Sequence, residues 1–393
     1  MARKRGPGAP GSNAGHGAHA ASAAGRRRFL GRVAAGAAAL AAGTATVVAP
    51  NVSEAQTAVL RFQSTWPQRE IFHEMAQDYV SRVNQMAGRR LRLTLLPAGA
   101  VAGAFQLQDA VSAGQALDGG HGVAAYWYGK NKAASLFGTA PAFGWDANEL
   151  LGWINYGGGQ ALYDELLRDV LKVDVVSFFS GPMPTQPLGW FRRELQGPEQ
   201  LRGLRYRTVG LAADLYRELG ATVSIIPGGD IAQAMVRGLI DAAEFNNPSS
   251  DRALGMADVA RIYYLQSYHQ PLECFEILFN KTRYERLPAE HRAMLRIAAE
   301  AASADMSWKA QDRYPRDLQE MRDQQNVRTV KTPDAILAAQ LQAWNRVLEQ
   351  HSADPFFKRV VDSQKAWVQR VVAFRREYVV PSDLAFDHFF PRR

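Results

Sequence analysis

The stretch "GLRYRTVGLAADLYRELGATVSIIPGGDIAQAMVRGLIDAAEFNN" (203–247) alternates short apolar runs with amphipathic segments. We expect a strand at 203–210, a helix over 211–220 ended by a glycine, and a second strand and turn from 221. Asp230 can cap a second helix, and "LIDAAEFNN" then forms a strand with a polar tip. This order predicts an α/β unit whose polar residues gather where strands end.

The same rhythm occurs earlier in the chain, between residues 58 and 129. We expect strands at Val59 to Gln63, at 90–97 and from 119, with helices between them, so this part predicts an open α/β domain with a largely parallel sheet. Residues 147–170 resemble two helical pieces broken by Gly157, Gly158 and Gly159; a phosphate loop would need a Lys-Ser/Thr that is missing here.

The rest of the chain links and braces these two units. A Pro/Gly-rich crossing follows a strand at 173–184, and two further apolar strands include one, "LECFEILFN", that returns to the first unit. From Pro288 we expect a helix of about 27 residues that Pro315 kinks or ends, followed by two amphipathic helices. The predicted organisation is residues 1–55 as a lead-in, 56–180 plus about 271–300 as domain I, 181–270 as domain II, and 288–393 as a long bracing helix and C-terminal helices.

Charge and cysteine content exclude several classes of protein. The net charge is +8, but residues 1–50 hold seven basic residues and no acid, which leaves +1 for the remainder. A nearly neutral body predicts no nucleic-acid partner. The one cysteine, Cys274, excludes intrachain disulfides and cysteine-rich metal sites, and we expect it to be a buried apolar residue.

The lead-in has the parts of a twin-arginine export signal. Consecutive arginines at 26–28 precede Phe29-Leu30 and a weakly apolar run that is too short for a stable membrane span. Ser53-Glu54-Ala55 fits a small-x-small cleavage site, so we expect the mature chain to begin near Gln56 and to reside in the periplasm.

The usual enzyme signatures, such as GxSxG, HExxH and Walker sequences, do not occur in the mature chain. What remains is a polar set at strand ends: Gln186, Arg207, Glu244, Asn246 and Asn247. A guanidinium matches both oxygens of a carboxylate, and a cation held by Glu244 and Gln186 would remove its repulsion of an anionic ligand. Aromatic candidates for the cleft include Tyr126, Tyr128 and Trp190. Alternation puts Arg205 and Arg207 on one face, so spacing alone leaves open which of them binds.

Two long segments carry a family resemblance. Residues 124–166, beginning "AAYWYGK", and residues 189–248, beginning "GWFRREL", resemble the DctP family of substrate-binding proteins of TRAP (tripartite ATP-independent periplasmic) transporters, most closely the subgroup that binds 2-oxo acids or lactate. The resemblance covers essentially the whole mature chain. It implies an α/β, two-domain periplasmic-binding-protein-like fold with crossing strands, a long bracing helix and C-terminal helices.

The resemblance also implies roles for particular residues. Arg207, rather than Arg205, matches the arginine that binds the substrate carboxylate. Gln186 and Glu244 match the side chains that hold a bridging sodium or calcium ion, and Phe245 would contribute its backbone carbonyl. The subgroup often has an acidic residue where this chain has Gln270, which still offers an oxygen but lowers the negative charge available to a cation.

Together these features predict a periplasmic receptor rather than an enzyme. It would capture a small monocarboxylate by domain closure, without an organic cofactor, and deliver it to TRAP permease subunits. The alternatives are an orphan periplasmic ligand sensor and a metal-dependent hydrolase using Glu244 as base. The long helix also permits a homodimer.

Overall fold

The computed structural model describes residues 57–391, so the export signal predicted in 1–55 lies outside the described residues. No helix among the described residues has the length and apolar character needed to cross a membrane. The strands are β1 (Ala58–Ser64), β2 (Leu91–Leu96), β3 (Gly119–Gly122), β4 (Val175–Met183), β5 (Gly189–Phe191), β6 (Arg205–Arg207), β7 (Thr222–Ser224), β8 (Ala242–Ala243), β9 (Ile262–Tyr264), β10 (Glu273–Asn280) and β11 (Arg328–Val330).

Helices cover the sheets and form the C-terminal part of the described chain. A short 3-10 turn, Ala124–Trp127, follows β3. The helices are α1 (Ile71–Ala87), α2 (Leu107–Ala113), α3 (Ser135–Gly138), α4 (Ala147–Tyr156), α5 (Gly159–Glu165), α6 (Ala212–Glu218), α7 (Ile231–Val236), α8 (Pro248–Ala253), α9 (Met256–Val259), α10 (Lys281–Glu285), α11 (Ala289–Gln325), α12 (Asp334–His351), α13 (Pro355–Tyr378) and α14 (Ser382–Phe389).

The first sheet has the strand order β2-β1-β3-β10-β4. β1 runs parallel to both β2 and β3, as the sequence predicts, whereas β10 runs antiparallel to β3 and β4. The sheet is therefore mixed rather than largely parallel, because β10 enters it on the way back from the second sheet.

The second sheet has the strand order β11-β9-β5-β8-β6-β7 and contains the stretch 203–247. The predicted alternation is confirmed there as β6-α6-β7-α7-β8, with β6 parallel to β7 and β8. β8 comprises two residues, and Asp230 precedes α7 without a capping hydrogen bond from its side chain. β11, which the sequence analysis does not predict, pairs parallel with β9.

The long helix differs from its prediction at Pro315. α11 continues ten residues past this proline, to Gln325, although the proline removes one backbone donor. Burial of Tyr314 before the proline and of Met321 after it explains the continuity, because the apolar stripe still packs on the protein. α11 contacts β4, α1 and α8, and so braces elements beside both sheets.

The glycine triplet and the cysteine behave as predicted. α4 ends and α5 begins around Gly158, whose φ of 88° lies in the left-handed region, so the triplet is a helix break. Cys274 is buried with a free thiol. The two apolar cores each contain residues from both sheets, including Phe191 with Leu278 in one and Trp190 with Phe275 in the other.

The chain passes between the sheets three times: through two short crossings that matter for the site, and through α11, which leads from β10 to β11. It leaves the first sheet between β4 and β5, through residues 184–188, and returns between β9 and β10, through residues 265–272. The backbone N–H of Gln186 donates to the carbonyl oxygen of Gln270 at 3.0 Å, which joins the two crossings.

Candidate functional site

A buried ion pair lies at the carboxyl ends of two neighbouring parallel strands. Arg207 ends β6, its register partner on β8 is Ala243, and Glu244 follows directly. Nη1 of Arg207 lies 3.0 Å from Oε1 of Glu244, and the side chains are 1% and 0% exposed. Gly189 permits this close packing: its φ is 112°, and a Cβ there would meet the carbonyl oxygen of Ala243 at 2.2 Å.

Further hydrogen bonds fix the guanidinium of Arg207. Nη1 also donates to the backbone carbonyl of Glu244 at 3.0 Å, while Nε and Nη2 donate to the carbonyl of Ile226 at 3.0 and 2.8 Å. The ring of Phe245 lies 5.8 Å from the guanidinium carbon. A ligand carboxylate would therefore meet an oriented arginine, and it would compete with Glu244 for Nη1.

Glu244 combines a raised pKa with an open oxygen. Burial raises the pKa of Glu244 to about 7, although the charge of Arg207 acts to lower it. Its Oε2 atom is buried without a hydrogen bond of good geometry, and the nearby hydroxyl of Thr208 acts to lower the pKa of this carboxyl. A buried carboxylate oxygen in this state is suited to accept a proton or a cation.

Amide side chains from the first crossing and from the loop after β8 bind a second carboxylate, Glu273. Gln186 Nε2 donates to Oε2 of Glu273 at 3.0 Å, and Asn246 Nδ2 donates to the same oxygen. Burial raises the pKa of Glu273 to about 8; these two hydrogen bonds lower it and the charge of Glu244 raises it. Glu244 and Glu273 are thus close enough to interact electrostatically.

This cluster fits a cation by its unpartnered oxygens. Oε1 of Gln186 and Oε1 of Gln270 are buried without a hydrogen-bond partner, like Oε2 of Glu244. The amide nitrogen of Gln270 donates to the carbonyl of Val209 at 3.2 Å, which orients that side chain. Three oxygens of carboxylate and amide type form a donor set that suits sodium or calcium. Among the described residues, no group of three or more His, Cys, Asp or Glu is placed to hold a metal ion, so a cation here would depend on the amide oxygens.

An apolar cavity of about 230 Å³ adjoins the ion pair. Val209 and Gly210, which follow Arg207 in the chain, line the cavity, as does Ile225, beside the residue whose carbonyl holds Arg207. Tyr126 lines it too; burial raises the pKa of Tyr126, and the charge of Arg207 opposes that rise. Its full lining comprises Phe105, Ala125, Tyr126, Tyr128, Gly129, Lys130, Val209, Gly210 and Ile225.

Tyr128 links the cavity to the second sheet. Its hydroxyl donates to Oδ1 of Asp214 on α6 at 2.6 Å. Arg217 and His351 also bind that carboxylate, at 2.8 and 2.9 Å. Tyr128 therefore lines the cavity and also connects it to the helix that follows Arg207.

Trp190 lies apart from the cavity lining. Its ring stacks on Tyr263 with the centroids 4.2 Å apart, and its indole N–H donates to Asp251 at 2.8 Å. The other oxygen of Asp251 accepts from the backbone N–H of Asn246 at 3.3 Å. These contacts make Trp190 a support for the loop that carries Asn246.

Among the predicted residues, Arg207, Glu244, Phe245, Gln186, Gln270 and Asn246 lie in one buried cluster, and Tyr126 and Tyr128 line the adjoining cavity. Sequence reasoning did not include Glu273 in the site. Its signal is an acidic residue at the start of the strand "ECFEILFN", whose sequence also holds a second acid, Glu276. A larger cleft of about 560 Å³ beside α11 contains none of the predicted site residues.

Known proteins resemble the chain over most of its length. The model for bacterial extracellular solute-binding protein family 7 (DctP) matches residues 62–354. A monocarboxylate 2-oxoacid-binding periplasmic protein of a Nostoc species is 29% identical over 329 residues, which are 84% of this chain and 88% of that protein.

Solved structures share the fold. A TRAP transporter solute-binding protein from Bordetella bronchiseptica is a mixed-occupancy dimer, with calcium and picolinate in one active site and an apo site beside it. It has a TM-score of 0.79 and 26% identity, covering 85% of this chain and 97% of that one. A TRAP periplasmic solute-binding protein from Pseudoalteromonas atlantica with bound sodium and pyruvate has a TM-score of 0.77 and 28% identity, covering 85% and 99%. The chain described here belongs to the DctP family of bacterial extracellular solute-binding proteins.

Proposed function

We propose that this chain is the periplasmic substrate-binding subunit of a TRAP transporter and that it captures a small 2-oxo or 2-hydroxy monocarboxylate. The single observation that carries the proposal is the buried pair of Arg207 and Glu244 with the unpartnered oxygens of Glu244, Gln186 and Gln270, where the chain crosses between its sheets. The relatives' ligands are small monocarboxylates: pyruvate, a 2-oxo acid, with sodium, and picolinate, a pyridine carboxylate, with calcium.

Arg207 would bind the ligand carboxylate. Its guanidinium is desolvated and held by the carbonyl of Ile226, so little ordering is needed when the ligand arrives. Asn246 and Gln186 both donate hydrogen bonds to Glu273 in the same cluster. Their side chains would contact the ligand's second polar oxygen.

Gln186, Glu244, Gln270 and the backbone carbonyl of Phe245 would hold a sodium or calcium ion. When bound, the ion would supply positive charge that relieves repulsion between Glu244 and the ligand. Nη1 of Arg207 would bind the incoming carboxylate in place of Oε1 of Glu244.

The cavity would receive the remainder of the ligand. A volume of about 230 Å³ falls below the roughly 300 to 1,000 Å³ of sites for drug-sized molecules, so it favours a small ligand. Val209, Ile225 and Phe105 give it apolar walls, which favour an aliphatic or aromatic tail over a second charged group.

Capture would occur by closure rather than by chemistry, with 56–180 plus about 271–300 acting as domain I and 181–270 as domain II. We propose export by the signal in residues 1–55, handover to TRAP permease subunits, and no catalytic activity. A homodimer also remains a prediction: Phe374, Tyr378 and Leu384 are exposed apolar side chains near the C-terminus, and light scattering would give the mass in solution.

The wild-type protein provides the first test. We expect calorimetric titration with pyruvate, lactate, 4-methyl-2-oxopentanoate and phenylpyruvate, in sodium, calcium or chelator, to show saturable binding of at least one acid. Binding should weaken when both cations are withheld. If none of these acids bound under any of the three conditions, the proposed ligand class would be wrong.

A further inference from the structure

Glu273 occupies a position that joins both crossings to both sheets. It begins β10, where its register partner is Met183 at the end of β4, and the pairing is irregular before Phe275. Its side chain is 4% exposed. The amides of Gln186 and Asn246 both donate to Oε2, so the carboxylate is held beside the unpartnered oxygens.

Glu273 changes the net charge of the cluster that would hold the cation. Arg207 and Glu244 form a pair 3.0 Å apart whose charges offset one another. A bound monocarboxylate then adds one negative charge, which a monovalent cation would balance. Glu273 adds a second when its carboxyl is ionised, and a divalent cation beside it stabilises that ionised form more strongly than a monovalent cation does.

Two other buried acids lie near the cluster. Glu70 accepts hydrogen bonds from the hydroxyl of Ser250 and the backbone of Phe72. Asp251 accepts from Trp190 and from the hydroxyl of Tyr263 at 2.8 Å. Each has its own donors and none comes from Gln186, so Glu273 is the acid bound directly to an amide that we assign to the cation.

We propose that Glu273 sets the cation preference of this chain, favouring calcium over sodium by supplying the negative charge that the neutral Gln270 does not. This inference rests on the proposed function, because it concerns the cation site of that function. It assigns Glu273 an electrostatic role beside the ion and predicts that the carboxylate can be moved to position 270 without loss of the preference.

The test compares cation affinities in four proteins. Wild type, Glu273→Gln, the double variant Glu273→Gln/Gln270→Glu, and Glu276→Gln are freed of metal and titrated by calorimetry with calcium chloride and with sodium chloride. The titrations are run first without and then with pyruvate. Thermal unfolding confirms that each variant is folded.

Glu276 provides the matched control because it is another buried acid of β10 outside the cluster. Its carboxylate accepts from Trp127 and Tyr163, at 2.7 Å each, and from Ser177. Removing its charge should change stability without changing the preference for calcium.

We expect Glu273→Gln to lose calcium affinity by about tenfold or more while its sodium affinity changes by less than about threefold. The double variant should regain most of the calcium affinity, and Glu276→Gln should retain it. Wild-type calcium affinity in Glu273→Gln, failure of the double variant to recover, or an equal loss in Glu276→Gln would each overturn the inference.

The two proposals fail separately in this design. If wild type binds pyruvate but Glu273→Gln leaves the calcium preference unchanged, the proposed function is retained and the role of Glu273 is rejected. A calcium preference that follows Glu273 in titrations without pyruvate would support the inference even if pyruvate itself did not bind.

Discussion

Arg205 and Arg207 show how much two residues of strand can change an arginine's environment. Both lie on β6 two positions apart, and alternation alone gives them the same face. Arg205, 47% exposed, pairs with Asp241 through Nε at 3.0 Å, as expected for an arginine facing solvent or a neighbouring acid. Arg207, at the carboxyl end of the strand, is buried. Depth along the strand separates them, and periodicity does not encode depth.

Glu70 gives the first prediction at this scale, for the dependence of stability on pH. Burial raises the pKa of Glu70 from 4.5 to about 8, with hydrogen bonds from Ser250 and Phe72 opposing the rise. Between these values the folded state binds the proton that the unfolded state releases. The free energy of unfolding should therefore fall as pH rises through this window, by up to about 1.4 kcal/mol per pH unit from this group.

Glu70→Gln should make that fall shallower in urea unfolding measured from pH 5 to 9. The raised pKa values of Glu244 and Glu273 also make the free energy of unfolding fall with pH, and they do so in both proteins. The difference between the two slopes therefore reports on Glu70. Glu74→Gln is the control: burial acts to raise the pKa of Glu74, but Lys309 and Arg313 lower it overall, so it titrates below this window. Equal slopes for Glu70→Gln and wild type would contradict the prediction.

At the scale of elements, the sequence predicts which helices and strands exist better than it predicts where each of them begins and ends. Periodicity locates α1, α6, α12 and α13 because each has an apolar face of sufficient length. The local rule for proline fails at Pro315, since buried residues on both sides of it keep α11 continuous. β8, two residues long, and the exposed helix α14 carry too little apolar pattern for their bounds to be predicted.

The link from the cavity to α6 gives a prediction for Tyr128. Although burial acts to raise the pKa of Asp214, hydrogen bonds from His351 and Tyr128 lower it to about 2, so the carboxylate that Tyr128 contacts is ionised. Tyr128→Phe removes this hydrogen bond, which joins the cavity lining to α6. Stopped-flow measurements with the ligand found by titration should show dissociation about fivefold faster, for a loss of about 1 kcal/mol.

A surface ion pair on the same helix provides the comparison for Tyr128→Phe. Arg346 binds Glu218 of α6 at 2.8 Å, with the two side chains 50% and 34% exposed. Arg346→Ala should leave the dissociation rate near that of wild type, because exposed ion pairs contribute little. A wild-type rate in Tyr128→Phe would show that this hydrogen bond does not hold the closed form.

At the scale of the whole molecule, the candidate site depends on long-range pairing. Arg207 and Glu244 belong to one α/β unit, so the sequence can place them together. Glu273 joins them because β10 returns antiparallel to the first sheet, next to the crossing that holds Gln186. Contacts between distant segments leave no local pattern in the sequence. The family resemblance also assigns no role to Glu273.

The central claim is that the buried arginine, and not its exposed neighbour, binds the ligand carboxylate. Calorimetric titration of wild type, Arg207→Ala and Arg205→Ala with the ligand found for the wild-type protein tests this claim most directly. We expect Arg207→Ala to lose at least about 100-fold in affinity, since it removes a desolvated, charge-assisted contact of about 3 kcal/mol, and Arg205→Ala to bind within about threefold of wild type. Wild-type affinity in folded Arg207→Ala would contradict the account.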